Sequence, residues 1–215
     1  MEFDSKHQHF KVKIAVSGAA ETGHCGGENV LEMAKELGAE IVRHDAILVN
    51  GATTGFPLWA ARGAKEEGGT TIGISPAANE EEHVALYKLP LDYLDLIIYT
   101  GSGYAARNIL LTRSADAVIV GCGRIGTIHE FTTAFEDRKP LGVLEGSWPT
   151  DDIIKSMIDN AHRPNNKVIF DKDIKNLVAR LIVLVKEEKK EGYGVYAGGG
   201  QFHRECKGPD CKVIL

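Results

Sequence analysis

The amino-acid sequence predicts an α/β protein of the Rossmann-like class, with a mostly parallel central sheet and helices on both faces. Short apolar runs of strand length alternate along the chain with longer segments of helical periodicity, which is the pattern of βαβ units. The run 117–120 is apolar throughout, as expected of a parallel strand that is buried on both faces. Glycine-rich stretches follow several of these runs, where ligands bind in such folds. A chain of 215 residues is long enough for one substantial core.

The elements follow from apolar spacing and from glycine or proline at their ends. Gly38 is expected to end the first helix, and Gly68 with Gly69 the second. The last helix is amphipathic, with apolar residues at core spacing. The predicted strands are residues 11–16, 40–43, 46–49, 70–74, 94–99, 117–120, 141–144 and 167–170. The predicted helices are residues 28–37, 57–67, 104–114, 128–135, 151–160 and 173–190.

The domain organisation is one domain with two flanking segments. Residues 1–10 are an N-terminal extension, residues 11–191 form the domain, and residues 192–215 form a glycine-rich tail. The tail is interpreted as a hinged arm whose apolar end packs on its own domain or on a neighbouring subunit. An alternative is that His203, Cys206 and Cys211 form part of a zinc site, although their spacing fits no strong zinc signature.

Composition excludes several classes of protein. The chain carries 25 basic and 30 acidic residues, so its net charge of -5 argues against a general electrostatic grip on nucleic acid or anionic lipid. The start of the chain lacks the apolar core of a signal peptide, and no segment approaches the length of a membrane span, so a cytoplasmic location is expected. The four cysteines have no disulfide-framework spacing and are expected to be free thiols.

The most informative segment begins at the predicted strand 117–120. Gly121, Gly123 and Gly126 are expected to form its turn into the next helix, where backbone N–H groups and the helix N-terminus can bind a phosphate. Glu130 falls in the first turn or so of that helix. A carboxylate beside a phosphate repels it, so its expected use is on a sugar hydroxyl or a water.

Two further loops are expected at the same edge of the sheet, one after the first strand and one after residue 49. Within the first of them, His24 and Cys25 supply only two ligands, so no metal site is predicted there. The residues expected to contact a ligand or its phosphate are Ser17, Gly18, Asn50, Gly51, Thr53, Thr54, Gly55, Gly123, Arg124, Ile125, Gly126 and Thr127.

Three blocks within residues 12–143 resemble the LOG-like proteins, once labelled possible lysine decarboxylases. The first runs from residue 47 to residue 76, the second combines Arg107 with residues 114–116, and the third runs from Gly123 to Glu130 and is similar to the motif PGGxGTxxE. The wider Rossmann-like superfamily of these proteins includes molybdenum-cofactor carrier proteins.

The chain departs from the family pattern at both anion-facing loops. Cys122 stands where the family usually has proline, and Arg124 where it has the second glycine. Asn50 and residues 52–54 depart from the triple-glycine form of the earlier loop. Arg124 could clash with the ligand or could add a charge-assisted hydrogen bond to it.

The resemblance implies that the protein is a nucleoside 5'-monophosphate phosphoribohydrolase, with Arg107 and Glu130 as catalytic residues and no metal or redox cofactor. It also implies a homodimer or higher homo-oligomer. The alternative is a protein that holds a nucleotide, or an anionic pterin such as molybdenum cofactor, without turnover. The retained Arg107 and Glu130 favour the enzyme, which is the main hypothesis, and the altered loops favour the binding protein. In both cases the partner is a small-molecule nucleotide or pterin phosphate, with no nucleic acid and no membrane.

Overall fold

A computed structural model describes residues 11–27, 29–163 and 165–190. It contains a seven-stranded sheet in the order β4-β3-β2-β1-β5-β6-β7, and every pair of neighbouring strands is parallel. The strands are β1 (Lys13–Ser17), β2 (Ile47–Asn50), β3 (Thr71–Ser75), β4 (Leu96–Tyr99), β5 (Ala117–Val120), β6 (Leu141–Leu144) and β7 (Val168–Asp171). The helices are α1 (Val30–Arg43), α2 (Phe56–Glu66), α3 (Gly103–Ser114), α4 (Ile125–Glu136), α5 (Thr150–Asn160) and α6 (Ile174–Lys190).

The sheet separates two apolar layers. On one face, Ile14 and Val16 of β1 pack with α1, α2 and α6, and on the other, Ala15 packs in the layer that contains α3, α4 and α5. Because successive side chains of a strand point to opposite faces, strands buried on both faces must be apolar at every position. β5 meets that demand with the sequence Ala-Val-Ile-Val, and its predicted bounds are confirmed.

The topology creates a switch point between β1 and β5. The chain builds outward from β1 to β4, then crosses back and continues from β5 on the other side of β1. Connections that leave β1 and β5 therefore run in opposite directions, and the carboxyl ends of these two strands border the crevice where open α/β sheets bind ligands. The glycine-rich segments that follow β1 and β5 both lie there.

The first helix was predicted wrongly. α1 does not end at Gly38 but continues to Arg43, so the predicted strand 40–43 is helical. A Cβ on Gly38 would lie 1.8 Å from the carbonyl oxygen of Ala60, and a Cβ on Gly63 would lie 1.8 Å from that of Lys35. The two glycines let the backbones of α1 and α2 approach each other closely. Gly38 therefore serves helix packing and does not terminate the helix.

Two other local predictions needed correction. α4 begins at Ile125, so Gly126 lies in its first turn and is not part of the loop that precedes the helix. A short π-helical segment, Glu82–Leu86, lies in a stretch for which no element was predicted.

The predicted N-terminal extension and glycine-rich tail lie outside the described residues, as does the proposed zinc set of His203, Cys206 and Cys211. Among the helices that the structure describes, none combines the length and the apolar character that a membrane crossing requires.

Candidate functional site

Backbone hydrogen bonds hold together the segments that follow β1, β2 and β5. The Gly121 amide donates to the Ser17 carbonyl at 3.0 Å, and the Ala19 amide donates to the Cys122 carbonyl at 2.8 Å. The Phe56 amide donates to the Ala19 carbonyl at 2.9 Å. The three loops that the sequence assigned to a common site therefore lie together at one edge of the sheet.

Glu130 lies at the centre of this edge, in a buried polar cluster. The Ser17 hydroxyl, at the end of β1, donates to Glu130 Oε2, and Arg107 Nη1, from α3, donates to Oε1 at 3.3 Å. Only 6% of Glu130 and 5% of Arg107 are exposed. The predicted pair is thus brought together, and Ser17 joins it, but inside the protein and not on an open surface.

Asn108 completes the cluster. In one orientation of its side-chain amide, every polar atom finds a hydrogen-bond partner. The nitrogen donates to Glu130 Oε1 at 2.9 Å and to the Tyr104 carbonyl at 2.9 Å, and the oxygen accepts from His129 Nδ1 at 3.3 Å. That orientation is assigned from the hydrogen-bond network. Sequence reasoning missed Asn108, because an asparagine in a helix carries no signal of its own.

Burial disfavours the charge on both members of the pair. It raises the pKa of the Glu130 carboxyl, while the positive charge of Arg107 and the hydrogen bond from Ser17 act in the opposite direction. Burial also lowers the pKa of the Arg107 guanidinium, against the attraction of Glu130. Among the described residues, Arg107 Nε has no hydrogen-bond partner. The guanidinium is therefore held by one carboxylate and retains one unsatisfied donor.

Gly51 provides the space that Arg107 occupies. A Cβ at this position would lie 1.9 Å from Arg107 Nη1, closer than any real contact between such atoms. The glycine that sequence reasoning assigned to ligand contact thus lies against a protein side chain, which would have to move if this position carried a Cβ.

Asn50 shapes the loop after β2 through hydrogen bonds within the protein. Its amide nitrogen donates to the Pro57 carbonyl at 2.9 Å, and its side-chain oxygen accepts from the Ala52 amide at 2.8 Å. Ala52 adopts a φ of 51°, a left-handed conformation that non-glycine residues seldom take. Farther along the loop, the Thr54 hydroxyl donates to the Ala20 carbonyl at 3.1 Å, which joins it to the loop after β1.

Phe56 packs between the ends of β1 and β5. A Cβ on Gly18 would lie 2.6 Å from the Phe56 ring, and one on Gly121 would lie 2.3 Å from it. Gly18 therefore makes room for this buried aromatic side chain. Sequence reasoning had placed Gly18 in the ligand site. No signal in the sequence showed that Phe56 would pack against Gly18 and Gly121.

Thr150 fixes the turn before α4. The Gly123 amide donates to the Thr150 hydroxyl at 2.9 Å, and the same hydroxyl donates to the Gly123 carbonyl at 3.0 Å. The Gly123 N–H, which was expected to bind an anion, is therefore used within the protein. Thr127 is also buried, against Gly123.

The exposed part of the predicted loop is the start of α4. Arg124 and Gly126 are exposed, and Ile125 is 83% exposed. Amides in the first turn of a helix have no acceptor within it, and they carry partial positive charge. Arg124 Nη2 lies 3.2 Å from Glu21 in an exposed ion pair. This end of α4 therefore offers N–H donors and one movable guanidinium to an anionic group.

The expectation of free thiols was wrong for Cys25 and Cys122, which are joined in a disulfide with a Cα–Cα distance of 5.8 Å. The bond connects the loop after β1 to the residue that precedes Gly123. The two cysteines are separated by 97 positions in the sequence, which gave no spacing signal that could have predicted the bond. Cys206 and Cys211 lie outside the described residues.

Comparison with solved structures finds similar architectures in molybdenum cofactor binding and carrier proteins. The molybdenum cofactor binding protein of Rippkaea orientalis superposes with a TM-score of 0.68 at 30% sequence identity, over 82% of this chain and 99% of that protein. The molybdenum cofactor carrier protein of Chlamydomonas reinhardtii superposes with a TM-score of 0.65, also at 30% identity and over the same shares of the two chains.

Sequence comparison identifies a relative and a family. An uncharacterized protein of Archaeoglobus fulgidus is 31% identical over 134 residues, which is 62% of this chain and 82% of that protein. Residues 11–178 match the model of the SLOG cluster4 family. That match includes every strand and the first five helices.

Proposed function

Because the chain belongs to the SLOG cluster4 family, we propose that it binds a small anionic cofactor of the pterin-phosphate type at the switch point between β1 and β5. In this proposal the ligand is held without turnover. This is the non-catalytic alternative that the sequence left open, and it replaces the hydrolase as the preferred function.

The observation that carries the proposal is the similarity to molybdenum cofactor binding proteins over nearly their whole length. Identity of 30% extends over 99% of both the Rippkaea orientalis and the Chlamydomonas reinhardtii proteins, so it includes the strand ends and their loops. A similarity confined to the sheet would support the fold alone.

The state of Glu130 supports binding without catalysis. A general base must reach the proton that it abstracts, directly or through one water. Both oxygens of Glu130 are engaged by side chains of the protein, and the residue is 6% exposed. Glu130 is therefore better placed to hold α3 and β1 in position around the ligand than to activate a water molecule.

The start of α4 fits a phosphate. Residues 125–127 present first-turn amides, and Arg124 adds a charge at the same end. The ion pair of Arg124 with Glu21 is exposed, and such pairs contribute only about 0–1 kcal/mol, so the guanidinium can leave Glu21 for a ligand at little cost. A pterin phosphate requires no larger basic surface, which is compatible with the net charge of -5.

Titration of the purified chain with isolated molybdenum cofactor tests the proposal. Arg124→Ala should weaken binding by about tenfold, or about 1.4 kcal/mol, because it removes one charge-assisted hydrogen bond. The matched control is Arg163→Ala, which removes another exposed arginine that pairs with Glu136. If the parent and Arg124→Ala bind the cofactor with equal affinity, Arg124 does not contact the ligand. If the parent does not bind the cofactor, the proposed function is wrong.

The hydrolase is a second candidate because Arg107 and Glu130, which the resemblance to LOG-like proteins implies as catalytic residues, form a buried pair. Burial raises the pKa of Glu130, as is common for catalytic acids and bases. Release of ribose 5-phosphate from a panel of nucleoside monophosphates, including AMP and isopentenyl-AMP, tests this activity. Turnover by the parent that disappears in Glu130→Gln would favour the hydrolase over the carrier.

We also propose that two copies of the chain associate through an apolar surface at the β4 edge. Leu96 is 54% exposed and Ile98 is 46% exposed, and they pair in register with Ile72 and Ile74 of β3. Paired residues share a face of the sheet, and Ile72 and Ile74 belong to the layer of α3 and α4. Tyr104 of α3 is exposed as well. Apolar residues exposed on both a strand and the helix beside it suit a protein interface.

Light scattering after size-exclusion chromatography tests the dimer. Leu96→Glu with Ile98→Glu should convert a dimer into a monomer, because it places charges in the apolar contact. Val183→Glu is the matched control, since Val183 is exposed to the same extent as Leu96 but lies on α6, on the other face of the sheet. A parent chain that is already monomeric would contradict the dimer.

A further inference from the structure

Three metal-ligating side chains meet beside the start of α4, in a group that the proposed function does not use. His24 Nε2 lies 3.7 Å from Cys122 Sγ and 4.0 Å from Cys25 Sγ. The three ligating atoms all lie within 4.8 Å of one another. The sequence supplied only the neighbours His24 and Cys25, and the fold adds Cys122, which is distant in the chain, as the third ligand.

The loops that carry these residues are held in place before any metal binds. The Ala19 amide donates to the Cys122 carbonyl at 2.8 Å, and the Cys25 amide donates to the Thr22 carbonyl at 2.9 Å. Gly26 adopts a φ of 68°, and a Cβ there would lie 2.5 Å from the Ser147 carbonyl oxygen, so the backbone after Cys25 is packed closely. Both cysteines are fully buried, whereas His24 is exposed.

Two thiolates and an imidazole are a ligand set for zinc. Zn²⁺ binds cysteine sulfur and histidine nitrogen in tetrahedral geometry, and a site with three protein ligands keeps its fourth position open for water or a small molecule. Soft thiolate ligands also favour zinc over magnesium, calcium or manganese. An exposed imidazole next to two buried sulfurs gives an ion access from the solvent side.

We propose that the dithiol form of Cys25 and Cys122, together with His24, binds one Zn²⁺ ion at the edge of the ligand site. The disulfide is the oxidised, metal-free form of the same site. Zinc binding here does not depend on the identity of the proposed cofactor.

A dithiol reductant supplies the electrons and protons that convert the disulfide form into the dithiol form. The disulfide accepts two electrons and two protons from the dithiol, which is itself oxidised to a cyclic disulfide, and Cys25 and Cys122 become thiols. Zn²⁺ then forms two Zn–S bonds, and the two thiol protons are released to water. Oxidation of the cysteines removes both thiolates and therefore releases the metal.

The test uses the full chain with Cys206→Ser and Cys211→Ser, so that the tail cysteines contribute no thiol. After reduction by a dithiol and its removal without oxygen, the protein is titrated with Co²⁺ as a spectroscopic probe and then with Zn²⁺. We expect one equivalent of Co²⁺, a thiolate-to-cobalt charge-transfer band, and displacement of Co²⁺ by Zn²⁺. The same protein in its oxidised form should show no such band.

Two variants assign the ligands. His24→Ala changes an exposed side chain, so it should leave the fold intact and weaken metal binding by at least tenfold. Cys122→Ser should abolish the charge-transfer band, and circular dichroism checks that it folds. The proposal is overturned if the reduced chain binds no metal or unfolds, if the oxidised chain binds equally well, or if His24→Ala and Cys122→Ser bind like the parent.

Discussion

The pair of Arg107 and Glu130 costs free energy to bury, and each charge depends on the other. Taking two charges out of water is unfavourable, and their mutual attraction repays that cost only with good hydrogen bonding. The Glu130 carboxylate accepts hydrogen bonds from Ser17, Arg107 and Asn108. Within the part of the chain that the structure describes, Glu130 is the one charged partner of Arg107 at hydrogen-bond distance. Removal of the carboxylate alone should therefore lower the free energy of unfolding more than removal of both charges does.

Glu130→Gln is expected to lower the free energy of unfolding by about 3–5 kcal/mol, because it leaves the Arg107 charge buried without compensation. Combining it with Arg107→Met should recover much of that loss, because no buried charge remains. Urea denaturation of the parent, the two single variants and the double variant measures the coupling. Strictly additive losses would contradict the view that the two charges depend on each other.

The pH dependence of Arg107→Met reports on Glu130 directly. Burial raises the pKa of Glu130 above its ordinary value of 4.5, so the folded protein holds this proton more tightly than the unfolded chain does. The resulting stability is fully present below the unfolded-state pKa and is lost as the pH rises through the folded-state pKa. Removal of Arg107 raises that pKa further, since it removes the cation that favours the ionised form.

Arg107→Met should therefore lose stability as the pH rises above 4.5, the ordinary pKa of this carboxyl, as measured by urea midpoints. The matched control is Arg107→Met with Glu130→Gln, which has no carboxyl to titrate at this position and should lose much less. Parallel curves for the two proteins would show that Glu130 does not titrate in this range.

Gly51→Ala is predicted to displace the Arg107 guanidinium, because the new methyl group would overlap Nη1. We expect a loss of about 1–3 kcal/mol in unfolding free energy, the usual range for overpacking. Gly27→Ala is the control, since a Cβ at Gly27 would meet nothing within 4 Å. If both variants are as stable as the parent, Gly51 is not needed to make room for Arg107.

Residue types at strand ends could be predicted, but their roles could not. Ser17 and Glu130 were identified from their positions after strands, and Arg107 from the resemblance to the LOG-like proteins, and the structure brings the three together. Gly18 and Gly51 were identified as well, although they accommodate Phe56 and Arg107. A glycine in a sequence indicates that something approaches closely, but only the fold shows whether that is a ligand or a side chain. Thr150 was missed because its contact with Gly123 is made across the fold.

At the scale of elements, burial on both faces made the central strands predictable. The bounds of β5 and β6 match the predictions because each is a short run that the sheet buries at every position. The end of α1 was missed because glycine has two uses in a helix. Near an end it favours termination, and in the middle it allows another backbone to approach.

Gly38→Ala separates these two uses. In an isolated helix alanine is more favourable than glycine by about 1 kcal/mol. In this protein the new Cβ would lie 1.8 Å from the Ala60 carbonyl, so we expect net destabilisation by about 2 kcal/mol or more. Thermal and urea unfolding measure the sign of the change. A stabilised variant would show that α1 and α2 are not packed as closely as described.

At the scale of the whole molecule, strand order places the site. Alternating strands and helices predicted a doubly wound sheet, but pairing of β1 with β5 is a tertiary property that local patterns do not encode. Once β1 and β5 are neighbours, the loops after them must meet, and their contact brings Cys25 to Cys122. The disulfide and the hydrogen bond of Ser17 with Glu130 both follow from that one pairing.

The most direct test of cofactor binding is the molybdenum and pterin content of the chain after exposure to saturating isolated molybdenum cofactor and gel filtration. We predict that molybdenum and pterin remain with the protein in equal amounts, approaching one of each per chain, and that no ribose 5-phosphate is released from nucleoside monophosphates by the same preparation. A chain that retains neither molybdenum nor pterin, yet hydrolyses a nucleoside monophosphate, would contradict the carrier function and establish the hydrolase.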